Sequence, residues 1–96
     1  MSPEPVDVAC KPGPAGWTCT VLVGDPAHGR RTKHEVTVTR ADLARLAPGA
    51  DQPDDLVERS FAFLLLREPK ESILRRFDLP VIGRYFPEYE ATIRRT

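Results

Sequence analysis

The chain has no excess of either charge. Its fourteen basic and fourteen acidic residues cancel, which removes the whole-molecule attraction to nucleic acid or anionic membrane that a strongly basic domain has. Long apolar runs are also missing: the longest, Phe61 to Leu66, is six residues, against the roughly 20 needed to cross a bilayer as a helix. The start, MSPEPVDVACKPGPAG, has neither the basic nor the apolar segment of an export signal, so a cytoplasmic protein is expected. Cysteine is scarce. Cys10 and Cys19 would form an isolated disulfide in an oxidising compartment, and without an export signal reduced thiols are expected instead. There is no glycine-rich phosphate loop and no internal repeat.

What is present fits one small globular domain. With 96 residues, 41% of them hydrophobic, the chain is too apolar for wholesale disorder and too short for two cores. Folding at this size buries only roughly 60 to 65% of the unfolded surface, so self-association is a natural supplement to stability. Prolines crowd the first third, and residues 1–15 read as a flexible proline-rich tail, with Val6 and Val8 alternating as a third, short edge strand would. Residues 16–96 form the domain.

From GWTCTVLVG onward the period is two, with Trp17, Cys19, Val21 and Val23 on one face. Turn residues in DPAHGR lead to KHEVTVT, where Val36 and Val38 share a face, and the two segments predict an antiparallel hairpin with a threonine-rich, solvated outer face. The register expected sets Cys19 opposite Val38 and His34 opposite Val23. Thr39 and Asp42 then stand in capping-box positions for a short helix with Leu43 and Leu46 inward. Pro53, Pro69, Pro80 and Pro87 each stand where a helix can begin, predicting helices near 53–67, 69–77, 80–86 and 87–95. The fold class is α+β: an N-terminal antiparallel β-hairpin packed against a central helix and several short C-terminal helices.

The central helix poses the question of what covers Phe61 to Leu66. Leu56, Val57, Phe61, Leu64 and Leu65 form one broad stripe for the hairpin's valine face, leaving Phe63 and Leu66 toward its flanks. Ile73, Leu74, Phe77, Leu79, Val81, Ile82 and Phe86 can cover one flank. If a flank stays open, Phe63, Leu66, Tyr85 and Tyr89 form an apolar-aromatic patch rimmed by Arg67, Arg84 and Glu88, the composition of a protein contact. If not, Tyr85 and Phe86 simply close the core.

Other constellations are weaker. Cys10, Cys19, His28 and His34 supply the ligand types of a zinc site, but eight residues separate the cysteines, and in the expected register His34 lies roughly 13 Å from Cys19. No metal and no cofactor are expected. Asp25, His28, His34 and Glu35 are acid-base types without a nucleophile beside them, so no enzyme is expected. Arginine pairs recur at Arg30-Arg31, Arg75-Arg76 and Arg94-Arg95, with Arg84 between the last two, and ILRRFDLPVIGRYFPEY has the outline of two helices about a turn. Against DNA binding there, the turn lacks glycine, the second segment meets Pro87 early, and Glu88 and Glu90 repel phosphate. The readings that remain are a protein-interaction module that pairs with itself or another protein and, second, a weak nucleic-acid binder using Arg75, Arg76, Arg84, Arg94 and Arg95.

KHEVTVT, SFAFLLLREPKESIL and FDLPVIGRYFPEYE, in that order, resemble a family of small uncharacterised bacterial proteins over roughly residues 16 to 93. The resemblance implies one intracellular bacterial domain and carries over no catalytic residue, ligand or partner.

Overall fold

The computed structural model describes residues 4–25, 27 and 29–95; Pro26 and His28 of the expected turn lie outside that set. A four-stranded sheet in the order β1-β2-β3-β4 is built from β1 (Val6–Pro12), β2 (Gly16–Val23), β3 (Thr32–Thr39) and β4 (Arg76–Asp78). The first three pair antiparallel and β4 joins β3 in parallel, making a mixed sheet. Helices α1 (Arg40–Leu46), α2 (Asp54–Leu65), α3 (Ile82–Tyr85) and α4 (Tyr89–Arg95) complete an α+β domain.

The alternation in β2 and β3 sorts side chains as their sequence requires. Cys19, Val21, Val23, Val36 and Val38 are all at most 1% exposed, whereas Thr18, Lys33 and Thr39 on the other face are exposed. The register differs from expectation by two residues: Cys19 faces Val36, and His34 faces Val21. A slip of two leaves every side chain on its own face, so the burial pattern cannot detect it.

Residues 6–12, in the proline-rich stretch where the alternation of Val6 and Val8 allowed a short edge strand, form β1. Its pairing with β2 sets Cys10 directly opposite Cys19, and the two are joined in a disulfide with Cα atoms 4.0 Å apart. The expectation of reduced thiols is therefore corrected. With β1 treated as tail, nothing brought the two sulfurs together; once it pairs, they are nearest cross-strand neighbours on one face.

Gly16 begins β2 where the chain passes closest to the end of β3. A Cβ there would collide with the Val38 carbonyl oxygen and stand 2.7 Å from Thr39 Cα, and both obstacles are backbone that the sheet holds in place. Gly16→Ala is therefore expected to destabilise the fold by about 1–3 kcal/mol, as overpacking does, read as a lowered urea midpoint.

The capping box forms as read from sequence: Asp42 N–H donates to Thr39 Oγ1 at 3.0 Å and Thr39 N–H to Asp42 Oδ2 at 3.1 Å. The expected helix at 69–77 does not. Pro69 is followed by a single 3-10 turn, Lys70–Ser72, and then by β4. Two interactions favour the extended form. Glu35 N–H donates to the Arg75 carbonyl at 2.7 Å, and Arg76 pairs with Glu35 at 3.0 Å. A second 3-10 turn, Leu79–Val81, replaces the start of the helix expected at 80–86.

Phe61, Phe63 and Leu64 of the six-residue apolar run are buried, Leu65 is half-buried, and Ala62 and Leu66 face solvent. Phe61 packs against His34 and Phe77, with ring centroids 5.3 and 6.1 Å away. The C-terminal segment covers the Phe63 flank: Phe86 and Tyr89 meet the Phe63 ring edge-on at 5.9 and 5.3 Å. Tyr89 is wholly buried. Its hydroxyl lies 2.7 Å from Ser60 Oγ, which itself donates to the Leu56 carbonyl at 2.7 Å. Ser60 has one proton, so Tyr89 is the donor, and burial holds its hydroxyl protonated, with a pKa pushed up to about 12.

Candidate functional site

The open flank is not where the sequence places it. Among the seven residues expected at a protein contact, Phe63 and Tyr89 belong to the core. Arg67 and Glu88 are engaged with each other at 3.4 Å. The Arg67 guanidinium also lies over the Phe63 ring, 3.5 Å from its centroid, and donates to the Phe63 carbonyl at 3.0 Å, so it seals the core with a cation–π contact. Leu66, Arg84 and Tyr85 are exposed.

An apolar groove of about 130 Å³ opens instead between the end of α2, the strand β4 with its approach, and α3. Phe77, Ile73, Ile82 and Leu64 are buried side chains of its wall, while Leu74, 45% exposed, and Tyr85, 66% exposed, reach into solvent beside them. Leu66, although 84% exposed, does not line it. Glu68 supplies an acidic group, and burial raises its pKa above the ordinary value. Pockets for drug-sized ligands or cofactors run to roughly 300 Å³ and above. A space of this size, lined this way, instead suits one aliphatic or aromatic side chain. Sequence reasoning placed Leu74 among the residues covering the core; its signal was the same as theirs, and only the tertiary placement of the 69–78 segment leaves it half outside.

The rim is fixed from beneath by His34, which is 1% exposed. Its Nδ1 stands 2.7 Å from the Leu74 carbonyl and its Nε2 2.9 Å from Thr32 Oγ1. A carbonyl only accepts, so Nδ1 carries the proton and Nε2 accepts from the threonine hydroxyl. Burial lowers the His34 pKa, with the nearby Arg75 charge acting the same way.

A second, polar depression lies between Thr37, Thr39, Asp42, Asp78 and Arg84. Its carboxylates are occupied within the fold: Thr37 donates its hydroxyl to Asp78, and Asp42 closes the cap of α1 while facing Arg45 at 3.8 Å.

The remaining constellations are dispersed. Asp25 accepts from Ala27 N–H at 2.9 Å within the turn, Glu35 pairs with Arg76 on the outer face, His34 is sealed inside, and His28 lies outside the described residues. No group of three or more His, Cys, Asp or Glu residues among the described ones could hold a metal ion. No helix of the described residues is long and apolar enough to cross a membrane. Arg31 pairs with Asp7 and Arg76 with Glu35, and of the two helices outlined about a turn the first is instead the strand β4 while the second shortens to a 3-10 turn and the four residues of α3. Compared with known proteins, the chain matches no family model, no curated protein and no solved structure.

Proposed function

We propose that the chain is a small non-enzymatic protein-interaction module whose groove receives an apolar side chain of a protein partner. The observation that carries this reading is the groove itself, with a buried apolar wall and two large side chains, Leu74 and Tyr85, held outward beside it. Tyrosine is among the residues enriched at the anchors that dominate interfaces, and Tyr85 stands exposed at the rim of this apolar slot. Glu68 at the wall favours a partner with a cation next to its apolar anchor.

The test is selection of displayed peptides on the purified protein, with counter-selection on Leu74→Asp. Enriched peptides share an apolar or aromatic anchor, and their affinity falls about tenfold or more on Leu74→Asp, as loss of a hot-spot contact does, while the circular dichroism spectrum is unchanged. Failure to enrich any anchored peptide, or binding indifferent to Leu74→Asp, overturns the reading.

A nucleic-acid role through Arg75, Arg76, Arg84, Arg94 and Arg95 is the second reading. It draws on Arg75, Arg84, Arg94 and Arg95 being exposed and engaged in no ion pair among the described residues. Phosphate contacts are strongest at low salt, so the absence of duplex DNA binding there removes this reading.

A further inference from the structure

We propose that the free edge of β1 pairs with the β1 edge of a second copy of this chain, antiparallel about a twofold axis through Ala9. β1 is one outer strand of the sheet and β4, three residues long, is the other. Which groups of β1 face outward follows from the bonds around it. Gly24 N–H donates to the Pro5 carbonyl and Gly13 N–H to the Gly16 carbonyl, so the odd-numbered residues of this strand bond toward β2. The close approach of Cys10 to Cys19, 4.0 Å between Cα atoms, is that of a pair that exchanges no bonds, which lie nearer together than bonded pairs. The N–H and C=O groups of Val6, Val8 and Cys10 therefore point away from the sheet, and no hydrogen bond among the described residues engages them. Pro12, at the end of the strand, has no N–H and closes the row.

Charge then selects the occupant and the register. Outward groups must meet outward groups, so even-numbered residues face even-numbered ones, and a twofold axis must pass through a residue. An axis at Asp7 sets two aspartates against each other. At Val8 or Cys10 it sets neither Asp7 nor Lys11 against an opposite charge. Only at Ala9 does Asp7 face Lys11 of the second copy, twice by symmetry, while Val8 and Cys10 exchange both their bonds across the seam. Asp7 and Lys11 are exposed and share the outer face. Lys11 has no ion pair among the described residues, and Asp7 uses only Oδ2, on Arg31 at 3.1 Å. In such a pairing their side chains occupy the closer, non-bonded positions of the ladder, where opposite charges stabilise and like charges destabilise. The disulfide holds β1 to its own sheet, so the edge is presented as a strand before association.

The dimer is one continuous sheet of twice four strands, with its two β4 edges, and so its two grooves, at opposite ends. Both copies place their helices on the same side of that sheet because the axis is perpendicular to it.

Light scattering of the full chain over about a hundredfold concentration range is expected to show a monomer–dimer equilibrium. In the dimer, the Val8 and Cys10 amides gain protection from hydrogen exchange. Lys11→Asp, which opposes two carboxylates twice, weakens dimerisation by about tenfold or more, with the circular dichroism spectrum unchanged. Adding Asp7→Lys to it restores the dimer. A monomer at every concentration overturns the proposal. So does a dimer indifferent to Lys11→Asp, or one that the double exchange fails to restore. A dimer formed through the groove instead would respond to Leu74→Asp and not to these exchanges, so the two surfaces are distinguished.

Discussion

Phe61→Ala is expected to destabilise the fold by about 3–5 kcal/mol, the range for removing a buried aromatic ring from a packed core. Domains of this size are stable by only about 5–15 kcal/mol, so the variant is expected to be partly unfolded at body temperature, with a melting temperature lower by on the order of 20 °C. The site cannot collapse cheaply. Phe61 is 0% exposed and packs against the rings of His34 and Phe77, which belong to β3 and β4, strands the sheet holds in register. Leu66→Ala, five positions further along the same apolar run, is expected to change stability by less than about 0.5 kcal/mol because its side chain is already in water. Paired urea titrations measure the contrast. If the two substitutions cost the same, α2 does not pack by the face described.

That contrast also separates what the run encodes locally from what the rest of the chain decides. Helical spacing correctly brought Leu56, Val57, Phe61 and Leu64 inward, because a stripe of that width needs only local geometry. It could not say that Phe63 is covered and Leu66 is not, since this depends on where Phe86 and Tyr89 arrive from roughly twenty-five residues downstream. The capping box at Thr39 and Asp42 was legible for the same local reason. β4 was not. Ile73 and Phe77 are four apart, a spacing equally at home on a helix or, with Arg75 between, on one face of an extended segment. What decides for the strand is backbone pairing with β3, a tertiary term absent from the sequence of residues 69–77. β1 was legible in part: the alternation of Val6 and Val8 allowed a short edge strand, while Pro5, Pro12 and Pro14 favoured a tail around it. Pro12 closes the strand with its nitrogen turned away from β2, and Pro5 and Pro14 lie beyond the strand's ends, so none interrupts it. The disulfide, the free edge and the proposed self-pairing all depend on that one assignment. At the groove, Tyr85 was anticipated as a contact residue and Leu74 was not, because its half-exposure follows from the extended path of the segment that carries it.

His34→Leu is expected to cost about 3 kcal/mol although it replaces a polar side chain with an apolar one, because it strands a buried hydroxyl and a part-buried carbonyl at about 1–3 kcal/mol each. The Leu74 carbonyl loses its donor and the Thr32 hydroxyl its acceptor. His34→Asn, whose amide nitrogen can occupy the place of Nδ1, should retain part of that stability. The pH dependence follows from the same geometry. The folded-state pKa of His34 lies below its ordinary value of 6.5, so at intermediate pH the unfolded chain binds a proton that the folded chain excludes. Stability is full above the unfolded value and declines as pH falls through it toward the folded one. Glu68 acts in the opposite direction, since burial raises its pKa and protonation favours the fold. The informative quantity is therefore the difference between wild type and His34→Leu, measured as urea midpoints from about pH 8 to about pH 5.5, where histidine and not carboxylate titrates. Wild type should lose stability over that range and the variant should not; parallel curves would mean that His34 is neither sealed nor neutral as described. Because the Nδ1 bond anchors the backbone of Leu74 at the groove rim, His34→Leu should also weaken any peptide selected on the groove, even at pH 8 and in protein that remains folded. A histidine with no access to solvent would thereby act on binding through the one carbonyl it holds.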